Sequence, residues 1–399
     1  MGCAAAVAIG LAAVACGDDG GGPPPDEAAA DEVADATEAA APAPVPGGEW
    51  QVKTPESQGM DAAVLEEARA YAFADDMNTQ GVVVVRNGVI VAEWYADGAD
   101  ETSWATSWSV AKSFTSALIG IAIDEGLIPG VDEPMTTWYP EWRGSERESM
   151  TLRDVLQMSS GLDWVESYDP ATTAESDIIQ LVVGAQDQLA VAAAQPAKHE
   201  PGTVWSYSSG DTMLLSGVLQ QATGMPPDEY AQRKLFEPIG MEQVEWWRDA
   251  AGHTLTYCCL DTIGRDYARF GLLYLREGAW GDEPVVPRDW VADSLEPVPH
   301  AEAGYGFQWW LDQPDTMPDD LFSANGHDGQ FIYVVPSLDL VVVRNGTYVK
   351  DPGEPIAEPN LFAKLPPQGL VPGRGSVPPE GDWDMGAFLN PIVESITDE

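Results

Sequence analysis

"SWSVAKSF", running from Ser107 to Phe114, lies immediately ahead of a long apolar segment and decides how the rest of the chain is read. Its centre is Ser109-Val110-Ala111-Lys112, the only Ser-x-x-Lys in the sequence. On a helix, positions i and i+3 share a face, so Lys112 can reach the Ser109 hydroxyl. A serine hydroxyl is a poor nucleophile at neutral pH and needs a base beside it. A lysine serves as that base only where burial or another cation depresses its pKa. Trp108, Val110, Ala111 and Phe114 suit such desolvation. The plain alternative is a serine cap followed by a solvent-facing lysine. On these eight residues alone the two readings balance.

Working outward, the helical pattern runs from Ser109 to Gly126, with Gly126 as its C-cap. Upstream, "GVVVVRNGVIVAEWYADG" holds two β-rich runs around Asn87-Gly88, the strongest short hairpin signal. "DAAVLEEARAYAFADDM", from Asp61, has an Asp cap and apolar residues at helical spacing. From about 130 to 260 the segments read as helical or looped, as in "TLRDVLQMSSGL" and "SGDTMLLSGVLQQATG". "CLDTIGRDYARFGLLYLREG" reads as one more amphipathic helix. Strand character returns in "YGFQWWLD", "GQFIYVVP" and "LDLVVVRNG", with Pro336-Ser337 turning between the last two. A Pro/Gly-rich excursion, about 350–384, precedes a terminal helix in "DMGAFLNPIVESI". The expected fold class is α+β: one antiparallel sheet built from both chain ends, flanked by helices, with a mostly helical insertion. A cleft between sheet and insertion is the default site.

The formal net charge is −46, from 19 basic and 65 acidic residues. Phosphates would be repelled, so no nucleic-acid partner is expected. The excess reads as a solubilising surface. Residues 1–16 contain a short apolar run, and 17–48 form an acidic Ala/Pro/Gly tether, leaving 49–399 for the folded domain. Ala13-Val14-Ala15-Cys16 resembles a bacterial lipobox, which makes Cys16 the expected lipidation site. The usual Leu is displaced to Leu11, and the first basic residue is Lys53, so the true start lies upstream or the signal is atypical. The expected location is the cell envelope, as a lipoprotein, or the periplasm or exterior; the membrane enters only through that lipid. Cys258 and Cys259 are the remaining thiols apart from Cys3; two buried free thiols are expected, because adjacent cysteines are awkward to bridge, with a vicinal disulfide the alternative in an oxidising compartment. No Cys/His cluster has metal-ligand spacing, so neither metal nor cofactor is expected.

Two further motifs tip the balance at Ser109. "PGTVWSYSSGD" carries Tyr207-Ser208-Ser209 between a Pro-Gly turn and a helix, and "NGHDGQFIYVVP" carries His327-Asp328-Gly329 at the start of a strand. With these, the chain resembles the serine β-lactamase and penicillin-binding-protein superfamily, in its class C and esterase branch, over roughly residues 50–349 and the terminal helix. Its pattern is SxxK, then YxN, then K-T-G or H-x-G. The resemblance implies that Ser109 attacks a carbonyl to form an acyl-enzyme, with Lys112 and Tyr207 sharing the proton work. It implies an oxyanion site between the backbone N–H of Ser109 and that of Gln330 or Phe331. Ser209, His327 and Gly329 would line the substrate site. His199, His253 and His300 fit no motif.

Two departures narrow the chemistry. Ser209 stands where the pattern has Asn, and His327 where it has Lys. No Lys-[Ser/Thr]-Gly occurs in the chain, so a fixed cation for a substrate carboxylate is missing. These changes favour a small ester or amide substrate, and the flavour of "SWSVAKSFTSALIGIAIDEG" with "YCCLDT" is most similar to the 6-aminohexanoate-dimer hydrolase branch. A β-lactamase or D,D-peptidase remains the alternative enzyme, and a non-catalytic envelope binding protein the alternative of another class. An α/β-hydrolase is disfavoured by the absence of G-x-S-x-G. Of the tryptophans, Trp108 and Trp205 stand beside motifs and are candidates to wall an acyl pocket; any single one is more readily explained as core.

Overall fold

In the computed structural model, Thr79–Arg86 (β1) and Val89–Tyr95 (β2) pair antiparallel across Asn87-Gly88. Both turn residues have positive φ, 53° and 74°, as a tight two-residue hairpin demands. Phe322–Gly326 (β3), Gln330–Val335 (β4) and Leu340–Gly346 (β5) add a meander from the far end of the chain. The sheet order is β2-β1-β5-β4-β3, antiparallel throughout, so the two chain ends meet where β1 pairs with β5. The expected α+β arrangement is the observed one.

The valine runs are buried on both faces because both faces are covered. Val82 and Val84 of β1, with Val342 of β5, face helices Ala62–Ala72 (α1) and Met385–Glu394 on one side. Val83, Val85, Val341 and Val343 face the larger core, which includes helices Ala111–Asp124 (α2) and Gly264–Leu275. Gly271 lets the latter helix lie close to the sheet: a Cβ there would fall 2.6 Å from Val341 and 2.8 Å from Ile332. Helix α2 is buried on every side from Ala111 to Ala122, so its sequence is apolar all round except for small hydroxyls and Lys112. Its stop is as expected: Gly126 has φ 69° and donates to the Ile123 carbonyl.

The middle region supplies helices Leu152–Leu156, Asp177–Gly184, Gln188–Ala194 and Ser209–Thr223. Three readings are corrected. "YGFQWWLD" is not a strand: Gln308 has φ 66°, and the segment makes only isolated bridges, Tyr305 with Trp310 and Trp310 with Ser323. The third meander strand is instead Phe322–Gly326. The stretch read as one helix from Cys259 starts as a strand, Leu260–Ile263, held between Trp104–Thr106 and Glu245–Trp246, and turns helical at Gly264. Cys258 and Cys259 are joined as a disulfide, not free thiols.

The structure describes residues 45–168, 175–302, 304–349, 375–376 and 381–397, all within one unit, Pro42–Glu399. Cys16, the 1–16 segment, most of the tether and most of the 350–384 excursion lie outside them. Where the tether meets the fold, Arg269 donates to the carbonyls of Gly47 and Gly48. Among the described residues no helix is long and apolar enough to cross a membrane.

Candidate active site

The strand Trp104–Thr106 runs into Ser107, which is locked to Leu260: its N–H donates to the Leu260 carbonyl and its Oγ accepts from the Leu260 N–H. Trp108 then takes a left-handed φ of 44°, unusual for a bulky side chain, and the turn Trp108–Val110 leads into α2. Ser109 therefore stands in a sharp strand-to-helix turn, half-buried, rather than within the helix.

Lys112 is 1% exposed and donates to three acceptors: Ser109 Oγ at 3.1 Å, Ser209 Oγ at 3.0 Å and the Tyr257 carbonyl at 3.0 Å. Burial pushes its ammonium down to about 8, against the opposing pull of the Glu166 carboxylate. The Tyr207 ring lies 5.0 Å from Lys112 Nζ. Burial, and then the negative charge of Glu166, push the Tyr207 phenol above its ordinary value, while its hydrogen bond with Ser109 works the other way. Tyr207 and Ser209 are held by the start of helix Ser209–Thr223 (α3). Its N-cap Ser208 accepts from the Asp211 N–H at 2.9 Å and donates to Asp211 Oδ1 at 2.9 Å. Asp211 also accepts from Ser160 Oγ, in the segment that follows helix Leu152–Leu156, and burial pushes its carboxyl up to about 7.

The third motif forms the three-residue turn between β3 and β4. Asp328 and Gly329 are both left-handed, at φ 61° and 77°. Buried Arg344 of β5 fixes this turn by donating to the carbonyls of Asp328 at 3.0 Å and Gly329 at 2.7 Å. The Gln330 side chain points into the sheet, where its Oε1 accepts from Asn345 Nδ2 at 3.0 Å. The turn backs onto the Ser107–Ser109 segment: a Cβ on Gly326 would lie 2.3 Å from the Ser107 carbonyl and 3.3 Å from the Ser109 nitrogen. His327 is half-exposed at the rim, paired with Asp328, its ring 6.1 Å from that of Trp108 and 4.7 Å from that of Tyr168.

All the residues singled out from the three motifs thus converge. Three contributors were not seen in the sequence. Glu166, on the loop after Leu162, accepts from Ser209 N and Oγ, Trp164 Nε1 and Tyr168 Oη. Tyr257 presents its carbonyl to Lys112, and its ring lies 5.6 Å from Nζ. Arg344 carries a readable signal, a lone cation inside "LVVVRNG"; nothing local marks the other two. Aromatic walls complete the cleft. Tyr207 stacks on Trp310 at 5.4 Å, Trp205 meets Tyr305 at 5.7 Å, and Trp108 stands beside His327. A cavity of about 140 Å³ opens next to the Tyr207 loop, lined in part by Met158, Leu162, Trp164, Val204 and Trp205. His199 borders that cavity, and His253 lies against Gln220 and Asp187 on the helical side.

A buried lysine touching a serine at a sheet edge, under a tyrosine from a helical insertion, is the layout of the α+β serine hydrolases. The chain belongs to the Beta-lactamase family, whose model matches residues 62–358. It is similar to the 6-aminohexanoate-dimer hydrolase of Paenarthrobacter ureafaciens, with 26% identity over 290 residues, 67% of this chain and 72% of that protein. Among solved structures it resembles a family VIII carboxylesterase, at 16% identity with a TM-score of 0.57, covering 71% of this chain and 91% of that one. It also resembles a D-stereospecific amidohydrolase from a Streptomyces species, at 17% identity with a TM-score of 0.56, covering 72% and 94%. At these identities the structural likenesses establish the fold.

Proposed function

We propose that this protein opens ester or simple amide bonds of small, weakly anionic or neutral substrates through an acyl-enzyme on Ser109. The observation that carries this reading is Lys112, buried, 3.1 Å from Ser109 Oγ and pushed down to about 8. With that value about a tenth of the lysine is neutral at pH 7, enough to take the serine proton. Tyr207 is shifted the other way, so it keeps its proton and serves as a donor toward the leaving group. In this reading the backbone N–H groups of Ser109 and Gln330 are the donors to the developing oxyanion. His327 and the aromatic walls orient the substrate. The names borne by the relatives, an amide hydrolase acting on 6-aminohexanoate dimers, an amidohydrolase and a carboxylesterase, support the same bond classes. A penicillin carboxylate would meet His327 where a lysine would hold it better, and Glu166 and Asp328 nearby, so β-lactams are the poorer substrates. On the sequence alone, a lipid on Cys16 would hold the enzyme at the cell envelope.

A fluorophosphonate is expected to label Ser109, read by peptide mass spectrometry. For p-nitrophenyl acetate, kcat/KM is expected to rise with pH through about 8, because the base works only after Lys112 loses its proton. Folded protein with neither labelling nor ester turnover would sink the reading. A profile flat from pH 6 to about 9 would remove Lys112 as the base.

A further inference from the structure

Glu166 has no place in the three motifs, yet it ends a continuous hydrogen-bonded chain from the nucleophile. Lys112 Nζ donates to Ser109 Oγ at 3.1 Å and to Ser209 Oγ at 3.0 Å, and Ser209 Oγ donates to Glu166 Oε1 at 2.7 Å. Four donors converge on the carboxylate: the Ser209 hydroxyl and Tyr168 phenol at Oε1, the Ser209 N–H and Trp164 indole at Oε2. Four neutral donors of this kind form a cradle for an anion. The hydroxyl of Ser209 is suited to the middle position, since one oxygen accepts from the lysine and donates to the carboxylate.

We infer that Glu166, acting through Ser209, is a positioning residue that serves as counter-charge to Lys112 and sets how readily that amine takes and returns the Ser109 proton. This rests on the serine-hydrolase reading above. In the acylation step Ser109 Oγ forms a bond to the substrate carbonyl carbon, and the carbonyl oxygen takes the electron pair of the broken π bond. The serine proton passes to the lone pair of neutral Lys112, which becomes an ammonium. That new charge arises 3.0 Å from Ser209 Oγ, whose own proton is directed at Glu166. Collapse of the adduct expels the alkoxide or amine, which receives the proton from Lys112 by way of Tyr207. Without an anion within reach, a buried ammonium would be expensive to create. The negative charge of Glu166 does oppose the effect of burial on Lys112.

The groups facing this pair are Tyr207 and Asp211 around the start of α3, Tyr257 beside the disulfide, Tyr168 on the Glu166 loop, and Tyr305. His327 and Asp328 lie beyond Tyr168. Glu166→Gln keeps the shape and leaves all of these in place. It is expected to move the rising limb of the kcat/KM profile to lower pH by about one unit, because the amine loses its counter-charge. A purely structural Glu166 would leave the limb where it stands. Ser209→Ala, which removes the bridge and keeps the carboxylate, should shift the limb the same way by less. Proton–carbon NMR of the lysine Cε groups, with Lys112→Met to assign the signal, reads the same titration without turnover, even in a variant of low activity. An unmoved limb and NMR titration, or movement to higher pH, overturns the inference while wild-type ester turnover leaves the hydrolase reading standing. Wild-type protein that neither turns over ester nor labels at Ser109 overturns both.

Discussion

Lys112→Met is expected to lower kcat/KM for p-nitrophenyl acetate by about a thousandfold while the protein remains folded. Methionine fills nearly the same volume, so the packing around Ala111, Phe114 and Tyr257 has little to repair. It takes away a group that touches the Ser109 hydroxyl and changes protonation near neutral pH. The loss should fall on kcat more than on KM, because the lysine is buried at 1% exposure and the proton it moves matters chiefly in the transition state. Ser209 Oγ and the Tyr257 carbonyl each lose a donor, which costs about 1–3 kcal/mol apiece. Removing a charge that burial already disfavours offsets part of that, so thermal unfolding should shift only modestly. Turnover within tenfold of wild type in a folded sample would exclude Lys112 from the mechanism.

Gly326→Ala should be nearly as damaging, for a steric reason. The added Cβ would sit 2.3 Å from the Ser107 carbonyl, 3.0 Å from Gln330 Cβ and 3.3 Å from the Ser109 nitrogen. Ser107 cannot step aside, since its N–H and Oγ are both bonded to Leu260. The methyl must therefore separate the third-motif turn from the nucleophile turn, the two segments that carry the proposed oxyanion donors. Expected losses are about 2 kcal/mol of stability and about a hundredfold in kcat. Denaturant titration and ester kinetics on the same sample read the two separately. Gly98→Ala is the control: with φ 84° and nothing within 4 Å, it should cost some backbone strain and no activity. Wild-type kcat in Gly326→Ala would show that the two turns need not touch.

What the sequence disclosed, and what it hid, follows from how local each signal is. Asn87-Gly88 and the continuous valine runs gave the strands because turn chemistry and burial act on adjacent residues. The serine–lysine pair was readable because i and i+3 meet on any helical turn, although the turn proved to include a left-handed Trp108. "YGFQWWLD" misled because an alternating pattern also suits a packed loop, and nothing in it announces the positive φ of Gln308. "FSANG" was passed over because Asn and Gly carry little strand character, yet that Gly is the residue the close approach requires. Glu166 was hidden because its key partner is 43 residues away in the chain. One acidic side chain among 65 acidic residues bears no mark of its own. The Cys258–Cys259 bond likewise depends on a local backbone course that composition does not encode.

The pairing of β1 with β5 has a consequence for biosynthesis. Thr79 on β1 and Arg344 on β5 are hydrogen-bonded across 265 positions of sequence. At about 5–20 residues per second, the first hairpin would wait roughly 15–50 seconds for its partner strand to be made. During that interval the inner edge of β1, with its four valines, is an open template for the wrong neighbour. The same delay means that the serine and lysine are synthesised long before the turn carrying Gly326 and His327. The nascent chain therefore holds Ser109 and Lys112 without the turn that packs against them, and the candidate site is complete only after β5 has been made.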